Sequence, residues 1–398
     1  MSTRILIFTA GFGEGHNAAA RALAAACDER HGPGTALLVD AFALASPRLN
    51  IHARRFYVGL INRTPRLWSA FYAWLDRSSP FPAALWLLQR ELRVVDAIIA
   101  RERPAVLCST YPVYAYFLAE LARRGRVLPA HYYVVTDSIS INSLWWRVPC
   151  AGWFLPNPDS TAVLRRAGIA ADRLHTTGFP VTSFFSDHAA DFAPPDLATG
   201  GAPRVLYIIN SGTRHAEETA RRLLAETGWE ITIAVGRDER LQRKLAALAA
   251  GRTRPATVLG WTQEIPRLLM THHVVVSKAG GATTQEAIAA RCPMIVNQVV
   301  PGQEEGNYEL LRRHDVGALA ETPSAVIDTL CRAFDARGAV WQTWRRALDQ
   351  LARPTAARTI AEHLLRPATL VATSAETETE SEPVPVPFRG PTPTPASA

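Results

Sequence analysis

The chain has 398 residues, of which 48% are hydrophobic and 20% charged, a composition that is typical of globular proteins with large apolar cores. Its five cysteines are scattered and form no C-x-x-C pair, which argues against a disulfide framework or a zinc knuckle and favours a reduced, cytoplasmic compartment. Because no run of 18 apolar residues occurs, we expect no membrane-spanning helix.

The charge is unevenly distributed. The formal net charge is +7, and the part of the chain from Pro367 onward carries four glutamates and one arginine, which leaves +10 on the rest. A basic body predicts an anionic partner, which could be nucleic acid, a membrane surface or a phosphorylated substrate. The alternative is that arginine serves here only as a solvated surface cation.

The chain opens with a predicted strand, loop, helix and strand. The first strand spans residues 4–10, the loop reads GFGEGH, the alanine-rich helix spans residues 17–26, and the second strand ends at Asp40. The spacing G-x-G-x-G-H differs from the G-x-G-x-x-G of dinucleotide-binding proteins. An acidic residue at the end of the second strand is nevertheless a feature of those proteins, so that fold is an alternative.

The histidine of this loop is the first candidate catalytic residue. His16 lies at the predicted amino end of a helix, where the positive end of the helix dipole disfavours imidazolium. A neutral imidazole can accept a proton, so His16 is a candidate general base. The alternative is that His16 only caps the turn through a hydrogen bond.

Residues 51–100 combine aromatic and cationic side chains at helical spacing. At least two helices are predicted, separated near residues 78–82. The apolar stripes either pack on the sheet or lie in a membrane interface, with tryptophan and arginine at the depth of the lipid headgroups. The abundance of Trp and Tyr favours the second interpretation for one of the stripes.

Strands and helices then alternate through both halves of the chain. In the first half, predicted strands at residues 105–109 and 131–136 precede Asp137, and a polar segment at 187–203 is a predicted linker. In the second half the predicted strands are 204–209, 230–235, 257–259, 274–276 and 294–299. This alternation predicts an α/β protein with two doubly wound domains.

The segment SKAGGATTQEA is the centre of the second half. A buried strand leads into Gly280 and Gly281, and a helix is predicted from about Thr283, which together form an anion site. The next strand ends in PGQEEGN, whose polar groups face the same crevice. A nucleotide-sugar supplies both a phosphate and hydroxyl groups. The alternative is structural, with Thr283 as N-cap and Glu286 at the third helical position.

Helices are predicted at 324–336, 340–352 and 355–365, and residues 367–398 are predicted to be a disordered tail rich in Pro, Thr and Glu. We therefore divide the chain into a first domain at 1–190, a second at 191–340, helices at 341–366 and the tail.

Three segments carry a resemblance to a known family. GFGEGHNAAARAL, VVTDSISINSLWWRVPCAGWFLPN and SKAGGATTQEAIAARCPMIVNQVVPGQEEGNYELL resemble the monogalactosyldiacylglycerol synthase and processive diacylglycerol glucosyltransferase family. These are GT-B glycosyltransferases, more distantly similar to MurG. The resemblance covers about residues 4–365. One departure is Asn142, which stands where relatives usually carry histidine.

The resemblance implies an inverting transfer of a hexose from a UDP-sugar to a membrane lipid such as diacylglycerol, with no metal, no other cofactor and no nucleic acid. His16, with Asp137 near it, would deprotonate the acceptor hydroxyl beside a loop that contains Gly13 and Gly15. The residues implied to bind the donor are Gly280, Gly281 and Thr283 for the diphosphate, Glu286 for the ribose, Gln303 and Glu304 for the sugar, and Gly260 and Trp261 for the uracil.

The implied location is peripheral, on the anionic inner face of the membrane, and the final helices are expected to cross back to the first domain. Two rival functions remain at this point. An NAD-type oxidoreductase would use the first glycine loop and Asp40 but leave the PGQEE segment without a role. A non-catalytic protein that binds nucleotide-sugars or lipids would keep the crevice and lose the base.

Overall fold

The computed structural model describes residues 5–48, 52, 85–210, 214–301 and 304–366. The described residues form two six-stranded sheets, in which every pair of neighbouring strands is parallel. Helices cover both faces of each sheet. The architecture is therefore α/β with two doubly wound domains, as predicted from the alternation of strands and helices.

The first sheet has the strand order β2-β1-β3-β4-β5-β6. Its strands are β1 (Ile5–Phe8), β2 (Ala36–Val39), β3 (Val106–Ser109), β4 (His131–Val134), β5 (Gly152–Leu155) and β6 (Leu174–Thr176). The chain reverses its direction across the sheet between β1 and β3. Loops that leave these two strands therefore border the crevice where such sheets bind ligands.

The helices of the first domain follow the same order along the chain. They are α1 (Glu14–His31), α2 (Ala41–Ala45), α3 (Gln89–Glu102), α4 (Val113–Arg123), α5 (Pro158–Arg166) and α6 (Phe184–Asp187). β1 is buried along its whole length because α1 packs on one face of the sheet and α4 on the other.

The second sheet has the order β12-β11-β10-β7-β8-β9, so its switch point lies between β7 and β10. Its strands are β7 (Arg204–Ile208), β8 (Glu230–Ala234), β9 (Ala256–Leu259), β10 (Val274–Lys278), β11 (Met294–Gln298) and β12 (Gly317–Leu319). The sequence did not predict β12, a three-residue edge strand that is too short to show a period.

The helices of the second half are α7 (Ala216–Ala225), α8 (Glu239–Ala249), α9 (Ile265–Thr271), α10 (Gly281–Ala289), α11 (Glu305–Arg313), α12 (Pro323–Leu351) and α13 (Ala356–Leu364). α12 is broken at residues 335–338, where the backbone leaves the helical region. This break divides α12 into the two helices that the sequence predicts. α11 was not predicted, because its first turn contains Gly306 and Asn307.

The final helix packs on the first domain. Ile360 and Leu364 of α13 are fully buried beside Ile5 and Leu23. Gly178 permits the crossing, since its φ is +100° and a Cβ there would lie 2.5 Å from the Cβ of Arg353, just before α13.

Two sequence predictions lie largely outside the described residues. Most of the aromatic stretch falls at residues 53–84, and the polar tail begins at 367. Where the aromatic stretch is described, Trp86 and Leu87 are 70% and 64% exposed, whereas Leu92 and Val95 are buried. Within the described part of the chain, no helix has the length and apolarity to cross a bilayer.

Candidate functional site

The turn between β10 and α10 presents uncapped backbone amides. α10 begins at Gly281 with Gly280 as N-cap, and no side chain of the described residues caps it. Its first internal hydrogen bond is donated by the Thr284 amide to the Gly280 carbonyl, at 2.9 Å. The amides of Gly281, Ala282 and Thr283 therefore remain available to a ligand, and the helix dipole favours an anion there.

This geometry corrects the structural alternative for the same segment. A capping box required Thr283 to precede the helix and Glu286 to occupy its third position. Both residues lie inside the helix, at its third and sixth positions, so that interpretation is wrong. The sequence misplaced the start because threonine is a common N-cap, whereas here the extended backbone of Gly280 does this without a side chain.

Glu286 lies on the face of α10 that packs against α1. It is partly buried, and burial together with the Glu14 carboxylate raises its pKa to about 7, an effect that Arg21 opposes. Arg21 also forms an ion pair with Glu14 on α1. A carboxyl in this setting can accept or donate a hydrogen bond near neutral pH, and either suits a sugar hydroxyl.

Glu304 is 5% exposed, and its carboxylate links the end of β10 to the segment that follows β11. Its Oε1 accepts a hydrogen bond from Lys278 Nζ at 2.8 Å, and its Oε2 accepts one from the Val300 amide at 3.1 Å. Asn307 donates through Nδ2 to the Ala279 carbonyl at 3.0 Å, and its buried Oδ1 has no partner among the described residues. Gln303 lies outside the described residues.

Lys278 and Asn307 are the polar residues here to which sequence reasoning gave no individual role. Their signal was visible in the sequence, since one precedes the two glycines and the other closes the PGQEEGN turn. The carboxylate of Glu304 is engaged by protein groups, so its predicted contact with a sugar would use the remaining lone pairs of its oxygens.

His16 is the third residue of α1 and faces the ends of β3 and β4. Its Nδ1 lies 2.7 Å from the Thr110 carbonyl oxygen and 2.8 Å from Thr136 Oγ1. A carbonyl oxygen only accepts, so Nδ1 carries the proton and Nε2 is the basic nitrogen. Burial lowers the pKa of His16 to about 4, an effect that the bond to Thr110 partly offsets, so the ring is neutral at pH 7.

The glycines of the first loop keep the space around His16 open. A Cβ at Gly13 would lie 3.2 Å from His16 Cδ2 and 3.6 Å from Nε2. A Cβ at Gly15 would lie 3.7 Å from the amide nitrogen of Ala282, at the start of α10. Gly13 therefore lies beside the imidazole, and Gly15, in the first turn of α1, faces the start of α10.

Asp137 follows the end of β4 and binds Trp145. Its Oδ2 accepts a hydrogen bond from the indole Nε1 at 2.8 Å. Burial raises the pKa of Asp137 to about 6, and the bond to Trp145 partly opposes that rise. The Nδ1 proton of His16 is directed at the Thr110 carbonyl, so the backbone and not Asp137 fixes the tautomer of the ring. Asn142 forms a turn, accepting at Oδ1 from the Leu144 amide at 3.0 Å.

Asp40 has a structural role that argues against the dinucleotide alternative. Its Oδ1 accepts from the Ala43 amide at 2.9 Å, and its Oδ2 accepts from the Gly11 amide at 3.0 Å. The carboxylate thus caps α2 and fixes the glycine loop. Each of its oxygens is already engaged by a backbone amide, so a ribose hydroxyl would have to share them with these amides.

Two further sequence predictions concern the residues that bind uracil and the need for a metal. Gly260 and Trp261 follow edge strand β9, and the Trp261 side chain is 63% exposed, so its contact with uracil stays a prediction. In the described ranges, no three His, Cys, Asp or Glu side chains are placed to hold a metal ion.

Comparisons with known proteins agree with the resemblance read from the sequence. The family model for monogalactosyldiacylglycerol (MGDG) synthase matches residues 16–181. A processive diacylglycerol beta-glucosyltransferase of Bacillus cytotoxicus is 22% identical over 309 residues, which are 76% of this chain and 78% of that protein. Together these matches confirm the predicted resemblance and the predicted class of enzyme, a glycosyltransferase.

Solved structures confirm the predicted GT-B fold. MurG of Acinetobacter baumannii superposes with a TM-score of 0.59 at 12% identity, covering 90% of this chain and 98% of that one. UDP-GlcNAc 2-epimerase of Neisseria meningitidis, bound to UDP-GlcNAc, gives 0.55 at 11% identity, covering 91% and 99%. Because MurG and a 2-epimerase share this fold, the fold alone does not identify the reaction.

Proposed function

We propose that this chain is an inverting glycosyltransferase that moves a hexose from a UDP-sugar to a hydroxyl group of a membrane lipid such as diacylglycerol. Relatives named as diacylglycerol glucosyltransferases and the MGDG synthase family model support the substrate class. The engaged carboxylate of Asp40 argues against the oxidoreductase alternative.

The donor diphosphate would bind at the amino end of α10. The amides of Gly281, Ala282 and Thr283 supply donors without a competing side-chain cap. The Lys278 ammonium lies beside the same turn, where it is paired with the Glu304 carboxylate. Fixed dipoles aimed at the leaving diphosphate stabilise the charge that develops as the glycosidic bond breaks. Because these groups stabilise that charge, we expect transfer to need no metal, which a transfer assay in EDTA checks.

His16 would act as the base through Nε2. The acceptor hydroxyl gives its proton to Nε2 as its oxygen forms a bond to the anomeric carbon. The bond between that carbon and the diphosphate oxygen breaks, and the electron pair leaves with UDP. A single displacement from the face opposite UDP inverts the anomeric centre.

One observation carries this proposal: the base and the anion site meet at Thr136. Its Oγ1 lies 2.8 Å from His16 Nδ1, and its carbonyl oxygen lies 3.9 Å from the position of a Cβ at Gly281. A single residue of the first domain therefore borders both the imidazole and the amino end of α10. This shared neighbour supports a base and a diphosphate site that open into one crevice.

Membrane association is proposed from charge and exposed apolar groups. The body outside the tail carries +10, and Leu44, Trp86 and Leu87 expose apolar surface on either side of residues 53–84. Arginine-rich surface with exposed tryptophan suits an anionic membrane interface. The enzyme would reach its lipid acceptor as a peripheral protein on the inner face.

The deciding experiment is product analysis with purified protein. UDP-glucose, UDP-galactose and UDP-GlcNAc, each labelled in the sugar, are incubated with vesicles of phosphatidylglycerol that contain diacylglycerol. We expect label in the lipid fraction with the β-anomer as product. Absence of lipid label with all three donors contradicts the proposal, and an isomerised UDP-sugar formed without lipid would indicate an epimerase. A thermal-shift comparison should show stabilisation by UDP and none by NAD.

A further inference from the structure

The segment 138–140 of the first domain carries two contacts to the donor half of the site. Gln285 of α10 donates through Nε2 to Ser138 Oγ at 3.0 Å, and both side chains are buried. Gly306, in the first turn of α11, packs on the backbone of the same segment. A Cβ at Gly306 would overlap the Ser138 carbonyl oxygen and lie 2.7 Å from the Ser140 amide nitrogen.

This segment is held in a sparsely populated backbone conformation. Ile139 has a φ of +55°, which is rare for a β-branched residue and persists only where surrounding contacts impose it. The Ile139 amide donates to Ser160 Oγ at 3.2 Å, and the Ile139 side chain packs against an apolar cluster built mostly from the second domain. Contacts from both domains thus determine the conformation of the segment.

The segment follows Thr136, which contacts the base, and Asp137. Thr136 binds His16, and Asp137 binds Trp145, so Ser138 is one peptide bond from the second of these residues and two from the first. Gln285 lies one turn beyond the amides of α10. A displacement of α10 or α11 relative to the first domain would therefore change the contacts of Ser138, two residues from Thr136.

We propose that Gln285, Gly306 and Ser138 are positioning residues, through which the placement of the donor-binding helix sets the geometry of Thr136 and His16. This inference rests on the proposed function. The proposal predicts that proton transfer to His16 is efficient only when the donor domain is in contact with Ser138. None of the three residues is proposed to contact the reacting atoms.

The sharpest test is Gly306→Ala. Alanine raises helix propensity at this position, so the second domain should fold and bind UDP as before, within about threefold. The added methyl cannot share space with the Ser138 carbonyl, so the domains must separate there. Misplacement on the order of 1 Å costs about 10²-fold in rate, and we expect kcat to fall by that factor. Gly251→Ala is the matched control, since nothing lies within 4 Å of its Cβ position.

A second test removes the hydrogen bond without adding volume. Gln285→Met and Ser138→Ala should each lower kcat about tenfold, with little change in UDP affinity. The double variant should be no slower than Ser138→Ala, because that change already breaks the bond from Gln285 and also removes the acceptor of Asn157 Nδ2, 3.4 Å away. Losses that multiply, or turnover equal to wild type in both single variants, would overturn the inference.

Small-angle scattering separates this inference from the proposed function. Gly306→Ala should have a larger radius of gyration than both wild type and Gly251→Ala. An unchanged radius with unchanged turnover contradicts the positioning role. If the wild-type protein transfers no sugar, the proposed function is refuted instead. The scattering comparison alone then shows whether the two domains are in contact at Gly306.

Discussion

The pH dependence of transfer discriminates between the candidate bases. His16 has a pKa of about 4, Asp137 about 6 and Glu286 about 7, because burial disfavours the charged form of each group. Burial thus lowers the pKa of the histidine and raises the pKa of both acids. The loss of activity on acidification therefore begins at a different pH for each residue.

The expected magnitudes follow from these pKa values. At pH 5.5 a group with a pKa of about 4 is about 97% unprotonated, compared with about 24% for a pKa of about 6 and about 3% for a pKa of about 7. If His16 is the base, kcat/KM for the acceptor should be nearly flat from pH 8 to 5.5. If Asp137 is the base, it should fall about fourfold.

The assay measures kcat/KM for the lipid acceptor at saturating UDP-sugar between pH 5 and 9, so that the donor fixes the state of Glu286. His16→Ala should lose about 10²–10⁴-fold in kcat, with donor affinity near normal. The matched control is His31→Ala, since His31 is exposed at the far end of the same helix. If kcat/KM of the wild-type enzyme falls below about pH 6 and His16→Ala retains most of its turnover, the assignment of His16 as the base is refuted.

Three further changes test separate parts of the structure. Glu286→Gln should weaken UDP binding about tenfold, since one hydroxyl acceptor is lost. Because folding raises the pKa of Glu286, its ionised form destabilises the fold as pH rises, and the Tm of Glu286→Gln at pH 8 should not fall below that of wild type. A large loss of Tm with unchanged UDP affinity in calorimetry would instead indicate that Glu286 has a structural role. Asp40→Asn should cost about 1–2 kcal/mol in urea unfolding, because one of two backbone amides loses its acceptor, and NAD affinity should be absent before and after the change. Co-sedimentation with phosphatidylglycerol vesicles should fall as salt rises and persist after deletion of residues 367–398; equal binding to neutral vesicles would contradict an electrostatic surface.

Local chemistry explains what the sequence could predict. The sequence predicts the buried strand and the glycine turn of residues 280–281, because an apolar run and the glycines that end it lie within a dozen residues. The sequence also predicted a neutral His16, although from its helix terminus, whereas in the structure burial lowers its pKa. The start of α10 was not predicted, since the N-cap is Gly280, three positions before Thr283, and only the backbone angles decide between them.

Long-range contacts explain what the sequence could not predict. The carbonyl that fixes the tautomer of His16 lies 94 residues away, and Gln285 lies 147 residues from Ser138. No period or motif joins such pairs, because their proximity is a product of both sheets and of the way the domains meet. The bond from the Gly11 amide to Asp40 also spans 29 residues, so the sequence left the dinucleotide role of Asp40 open.

The return of α13 to the first domain has a consequence for the order in which the protein can be completed at the ribosome. Domains that are continuous in sequence can fold as they emerge, but the core formed by Ile5 and Leu23 also includes Ile360 and Leu364. Burial of each of these last two side chains is worth about 1.5–3 kcal/mol. The nascent first domain therefore exposes an apolar surface until α13 has been synthesised. A chaperone would bind at this surface, and chains truncated before α13 would aggregate through it.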